Sequence, residues 1–177
     1  MLKKVVIVDF GSQVTQLIAR SVRSQKVYCE VVPFNKFSLK YIKNENPAGI
    51  ILSGSPLSVT KRGFPSIKRE IFFLGIPILG ICYGMQLISS ALGGKIKKIS
   101  GREYGDTSIK VLKKSSINPN NWKVGTKNNV WMSHGDSVKK LPKNFISFAK
   151  SNNENYVGIA NEKMKIFGLQ FHPEVTH

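Results

Sequence analysis

The chain has 177 residues and a mass of 19.7 kDa, enough for one hydrophobic core and too little for two ordinary domains. With 41% apolar and 21% charged residues, it is neither a disordered chain nor a fibre. The formal net charge of +17 first suggests nucleic acid, but most of the 27 basic residues are lysines scattered in runs of no more than two, without arginine–aromatic interleaving, so a solvated surface is the better reading and no nucleic-acid partner is expected.

Residues 5–8 form a continuous β-branched run, as a strand buried on both faces requires. Asp9-Phe10-Gly11-Ser12 reads as a turn with Ser12 as helix N-cap, and Val14, Leu17, Ile18, Ser21 and Val22 then repeat along one helical face. A strand is predicted over 28–32, closed by Pro33, then a short helix over 38–44 and a buried strand over 49–52. A loop over 53–63, a helix over 66–74, a strand over 76–81 and a helix from about 85 to 92 follow. Strands alternating with helices imply an open, mostly parallel sheet with helices on both faces. After Gly93-Gly94 come short β-like runs over 95–99, 107–112, 130–133, 145–150, 156–160 and 166–171, read as antiparallel additions beside or at the edge of that sheet. An α/β sheet normally follows such a last run with a covering helix, so the ending at His177 is expected to lack one.

Cys29 and Cys82 are the only cysteines, no CxxC pair occurs and histidines number three, so no structural metal is expected and a reducing, cytoplasmic setting fits. The uncharged stretch 71–94 is long enough to suggest a membrane span. Pro77, five glycines, Gln86, Ser89 and Ser90 instead divide it into strand, turn and helix, so no membrane partner is expected.

The turn within that stretch is Gly80-Ile81-Cys82-Tyr83-Gly84, the spacing of a nucleophile elbow between strand and helix. Its glycines permit a tight turn that holds the nucleophile strained and exposed. The helix N-terminus favours a thiolate, and the Tyr83 N–H points where an oxyanion would form. Cys29, inside a strand, reads as core. His172-Pro173-Glu174 places a base and a carboxylate two residues apart. In extended chain they face the same side, making Cys82, His172 and Glu174 a candidate triad. Ser53-Gly54-Ser55-Pro56 sits at the C-terminal edge of a parallel strand, where ligands bind in open sheets. His134, in Ser133-His134-Gly135-Asp136, competes as base, but the segment reads as a loop and not as an extended run that would aim an i+2 carboxylate at the ring, so this loop is expected to line the pocket.

Taken together, VDFGSQVTQLIAR (8–20), GIILSGSP (49–56), GICYGMQ (80–86), Arg102-Glu103-Tyr104-Gly105, VWMSHGD (130–136) and GLQFHPEVTH (168–177) resemble the glutamine amidotransferase domain of the GMP synthases, a class I, triad-type amidotransferase with a flavodoxin-like fold. The resemblance spans essentially the whole chain. It implies that Cys82 attacks L-glutamine to form a glutamyl thioester, His172 moves the proton and Glu174 orients His172. It further implies an oxyanion hole from the N–H groups of Ser55 and Tyr83, and substrate contacts from Gly54, Gln86, Ser133, His134, Gly135 and Asp136.

The ammonia would pass to a synthetase domain or subunit that aminates XMP with ATP and Mg²⁺. That domain is absent here, so no cofactor is expected in this chain, and a homodimer belongs to the full enzyme. A glutaminase of another class I amidotransferase would share the triad without VWMSHGD and HPEVTH, and a weak regulatory module would lose a triad member. One departure stands out: Ser55 occupies a position where the family usually has glycine. If the loop needs φ > 0 there, serine costs on the order of 1–2 kcal/mol, so its N–H is expected to rest aimed away from the site, and Ser55→Gly to raise activity.

Overall fold

The computed structural model describes residues 3–176; Met1, Leu2 and the ending at His177 lie outside the described residues. The first half alternates as read from the sequence: β1 (Lys4–Asp9), α1 (Thr15–Ser24), β2 (Tyr28–Pro33), α2 (Leu39–Glu45), β3 (Gly49–Leu52), β4 (Ile78–Ile81) and α3 (Tyr83–Ala91). The second half supplies β5 (Lys95–Val111), β6 (Lys127–Lys140), β7 (Ile146–Ser151), β8 (Gly158–Asn161) and β9 (Ile166–Leu169). All nine strands form one sheet in the order β2-β1-β3-β4-β9-β8-β7-β5-β6. The five from β2 to β9 are parallel, in the 2-1-3-4-5 order of flavodoxin-like folds, and β8, β7, β5 and β6 extend them antiparallel.

Alternation along β1 sorts the two faces. Val6 and Val8 join Ile42 of α2 and Met85, Leu87 and Ile88 of α3 on one side, while Ile7 joins Ile18 and Ala19 of α1 on the other. A separate cluster of Ile109, Met132, Phe148, Val157, Phe167 and Phe171 fills the antiparallel extension.

Four sequence expectations need correction. Ser12 does not cap α1; its hydroxyl accepts from the Val14 N–H at 3.1 Å and closes the turn before the helix starts at Thr15. The helix expected over 66–74 is a 3₁₀ segment at Arg69–Phe73, because Lys68 is extended and Gly75 with φ +77° stops the chain after Leu74. The runs over 95–99 and 107–112 are one bent 17-residue strand, β5, whose register with β6 shifts between Lys98 and Glu103. The supposed loop 133–136 lies inside β6, paired to that bent strand.

The elbow glycines do something other than adopt special dihedrals. Neither Gly80 nor Gly84 has positive φ; Cys82 itself does, at φ +55° and ψ −106°. Gly80 and Gly84 instead make room. A Cβ on Gly80 would lie 2.5 Å from the Gly84 carbonyl, and one on Gly84 would lie 2.8 Å from the Leu52 Cβ. They let α3 press onto β3 and β4 directly after the strained residue. Gly84→Ala is expected to destabilise the chain by about 1–3 kcal/mol through overpacking, read as a lower urea midpoint at unchanged m-value.

Candidate active site

Cys82 sits where β4 ends and α3 begins, at the C-terminal edge of the parallel strands. Its φ lies in a region costing on the order of 1–3 kcal/mol for a residue with a side chain. Backbone bonds on both sides hold it there: its N–H donates to the Leu169 carbonyl at 2.6 Å, and its carbonyl accepts from the Gln86 N–H at 3.1 Å. The sulfur therefore stands at the N-terminus of α3, where unpaired N–H groups and the helix dipole favour negative charge. Cys82 is only 5% exposed, so the elbow is covered rather than open as the sequence suggested. Cys29 is buried in the core under α1, its thiol near the Ala19 carbonyl.

His172 and Glu174 come together, but not as an extended strand. The Val175 N–H donates to the His172 carbonyl at 3.2 Å, so residues 172–175 form a turn with Pro173 in its second position, the place that suits a fixed φ. Within this turn Glu174 Oε1 accepts from His172 Nδ1 at 2.7 Å, and the ring faces the same cleft as Cys82, near enough for the charges of the two groups to act on each other. With Nδ1 committed to Glu174, Nε2 is the nitrogen left for the sulfur. Burial acts to lower the His172 pKa, but hydrogen bonds and charge from Cys82 and Glu174 outweigh it and raise the pKa from 6.5 to about 10.

That shift has a definite sign. The charged His172 contributes stability that is fully present below the unfolded value of 6.5 and is lost as pH rises through about 10. In an NMR titration the His172 ring is expected to stay protonated well above neutrality, and Cys82→Ala to bring its midpoint down, since burial then loses one opponent. An unchanged midpoint in Cys82→Ala would show that the sulfur does not hold the proton.

His134 is not at the sulfur. Its Nε2 meets Glu103 Oε2 at 2.8 Å and its Nδ1 meets the Asp136 carbonyl at 2.7 Å. The sequence argument against it did not read 133–136 as extended; the segment is part of β6, so Asp136 does stand at i+2, but its carboxylate is engaged with Ser58 and the one that meets the ring is Glu103 of β5. Ser133 presents its carbonyl 3.4 Å from Cys82 Sγ and its hydroxyl 3.0 Å from Arg102 Nη2. Asp136 accepts from the Ser58 hydroxyl through Oδ2. Gln86 spends its amide protons inside the protein, on the Asp136 carbonyl at 2.8 Å and on Gln170 Oε1 at 3.3 Å.

Gly54 lies against the site: a Cβ there would stand 3.1 Å from His172 Cε1 and 3.9 Å from Cys82 Cβ. Ser55 does not have positive φ, and its hydroxyl accepts from the Leu57 N–H at 3.1 Å. The strain argument for this serine therefore does not apply. With no backbone strain to relieve and the Ser55 N–H kept, Ser55→Gly is expected to leave the activity implied by the resemblance within about twofold. A tenfold gain would restore the strain argument.

Cys82 borders two clefts. One, of about 210 Å³, is walled by Ser55, Ser58, Tyr83, Gln86 and residues 133–136; the other, of about 410 Å³, by Gly11, Gln13, Trp131, His172 and Val175. Arg102 and Ser55 line both. A larger concavity, about 860 Å³, runs along the bend of β5 and reaches neither Cys82 nor His172, so size is a poor guide to the site here.

Sequence reading missed Ser58, Arg102, Glu103 and Gln170. A signal existed for Gln170, a lone amide in the otherwise apolar run 166–171; for the others, contact depends on strand pairing.

Residues 6–177 match the family described as glutamine amidotransferase class-I. The glutamine-hydrolyzing GMP synthase of Bartonella quintana is 49% identical over 173 residues, which is 98% of this chain and 33% of that protein. The same enzyme of Brucella melitensis is also 49% identical, with 34% of it covered. The chain thus spans about a third of the length of these curated relatives. Among solved structures, a protein from Thermoplasma acidophilum described as a GMP synthase component superposes with a TM-score of 0.81 at 26% identity, covering 100% of this chain and 87% of that one. A glutamine amidotransferase from Thermotoga maritima superposes with a TM-score of 0.77 at 20% identity, covering 99% and 77%.

Proposed function

The chain belongs to the class-I glutamine amidotransferase family, and from that premise we propose that it hydrolyses the side-chain amide of L-glutamine and supplies the ammonia that aminates XMP to GMP. The observation that carries the proposal is the closeness of Cys82 to a His172 ring held by Glu174, at a strained strand-to-helix elbow. The Cys82 thiolate attacks the amide carbon of glutamine. Negative charge gathers on the amide oxygen, facing the N–H groups of Tyr83 and Ser55. His172 passes its proton to the nitrogen as the C–N bond breaks, releasing ammonia and leaving a glutamyl thioester. Water then attacks the thioester, giving its proton to the now neutral His172. Glutamate leaves, and the thiolate–imidazolium pair is restored.

The 210 Å³ cleft takes the amino-acid end of glutamine. The Asp136 carboxylate suits an α-ammonium, residues 133–136 wall the cleft with the Ser133 carbonyl beside the sulfur, and Gly54 lies against Cys82 and His172 at its edge. Gln86 and His134 contribute by holding that wall, since the amide protons of the first and both ring nitrogens of the second are taken by protein groups. In this reading ammonia use, with ATP and Mg²⁺, belongs to a synthetase domain or subunit in the cytoplasm, and a homodimer would be a property of the whole enzyme. Among the described residues no helix is long and apolar enough to cross a membrane.

Glutamate and ammonia release should be assayed with and without the cognate synthetase. This chain alone is expected to turn over slowly and to accelerate when the loaded synthetase is added, because free hydrolysis would waste glutamine. Full turnover without the partner would refute the coupling, and no turnover in either case would refute the function.

A further inference from the structure

The hydrogen bonds around Cys82 include one that the triad does not use. Gln170 is fully buried directly after β9, and its Nε2 lies 3.6 Å from Cys82 Sγ. The orientation of this amide is determined by its neighbours. Gln86 turns its NH₂ group toward the Asp136 carbonyl at 2.8 Å, an acceptor that cannot be exchanged for a donor. The same NH₂ group donates to Gln170 Oε1 at 3.3 Å. The oxygen of Gln170 therefore faces Gln86, and its NH₂ group faces the sulfur. On another side, the Ser133 carbonyl lies 3.4 Å from Sγ and can only accept.

These two neighbours serve opposite states of the sulfur. A thiol can donate to the Ser133 carbonyl. A thiolate cannot donate, and gains from the Gln170 N–H as well as from His172. From this arrangement we propose that Gln170 is a further catalytic residue: a fixed, buried amide donor to the Cys82 sulfur, serving it as attacking thiolate and again as the leaving thiolate when the thioester is hydrolysed. Gln86 keeps that donor aimed. The proposal rests on Cys82 being the nucleophile of the function set out above. It adds a second contact to the sulfur, independent of the His172–Glu174 pair.

The test uses the 177-residue chain and iodoacetamide, so it needs no glutamine turnover. Gln170→Met and Gln170→Leu fill the buried position with an apolar side chain of similar size and remove the donor. Folded variants, checked by near-UV circular dichroism and thermal midpoint, are expected to alkylate at Cys82 about tenfold more slowly than wild type at pH 7, the scale of one lost hydrogen bond to a charged group. Wild-type rates in either folded variant overturn the proposal. If neither variant folds, the wild-type protein decides. The Gln170 side-chain amide protons should shift in the NMR spectrum of Cys82→Ala, where their acceptor is gone, and unchanged resonances overturn the proposal. Slowed alkylation in a chain that never hydrolyses glutamine, even with its synthetase, would sink the proposed function and leave this contact standing. Glutamine turnover with undiminished alkylation in the variants would do the reverse.

Discussion

Cys82→Ala is expected to remove glutamine hydrolysis by roughly 10⁴-fold or more, as losses of a covalent nucleophile do, with secondary structure unchanged. The fold tolerates the change because Cys82 is held through its backbone, by the Leu169 carbonyl and the Gln86 N–H, and alanine keeps both bonds. The strain of φ +55° remains and is not relieved, while the share of the His172 stabilisation that comes from Cys82 is lost. A glutamine-like electrophile should label Cys82 and spare Cys29, which lies in the core under α1. Retained hydrolysis in Cys82→Ala, or labelling at Cys29 in the folded chain, would remove Cys82 from its role.

His172→Ala should be nearly as damaging, because in the proposed mechanism the ring both stabilises the thiolate and delivers the proton to the departing nitrogen. Glu174→Ala should be roughly a hundredfold milder, since an orienting carboxylate matters less than the base it orients. Glu174→Gln separates two parts of the carboxylate's effect: it can keep an oxygen for His172 Nδ1 while removing the charge that helps raise the His172 pKa. It should fall between wild type and Glu174→Ala in rate and should lower the His172 titration midpoint. The comparison to run beside these is His134→Ala. Its ring is bound to Glu103 and the Asp136 carbonyl, so it should act mainly on KM through the cleft wall. If kcat collapses in His134→Ala and survives in His172→Ala, the assignment of the base is reversed.

The parts legible from residues alone are those whose signal is local. The β-branched run of β1, the 3.6-residue repeat of α1 and the Gly-x-Cys-x-Gly elbow each carry their instruction within a few positions, and the elements formed close to where they were expected. Local signals also supported a sound pairing for an incorrect reason. His172 and Glu174 do meet, but across a proline turn and not along an extended strand, because Pro173 suits both conformations and the tripeptide cannot choose between them. In the second half the runs over 145–150, 156–160 and 166–171 formed as β7, β8 and β9, whereas the bend of β5 hid that 95–99 and 107–112 belong to one strand.

What surrounds the sulfur was decided only in three dimensions. Ser133 reaches Cys82 across 51 residues and Gln170 across 88, and Glu103 meets His134 across 31. These contacts depend on which strands pair and in which register, above all on β9 entering beside β4 and on the bulge in β5 that brings Glu103 opposite His134. Register is a property of two strands together, settled by the burial of both, and no single segment encodes it. The chain's own order of residues therefore named the candidate nucleophile and base, while the packing of distant strands chose the neighbours around them.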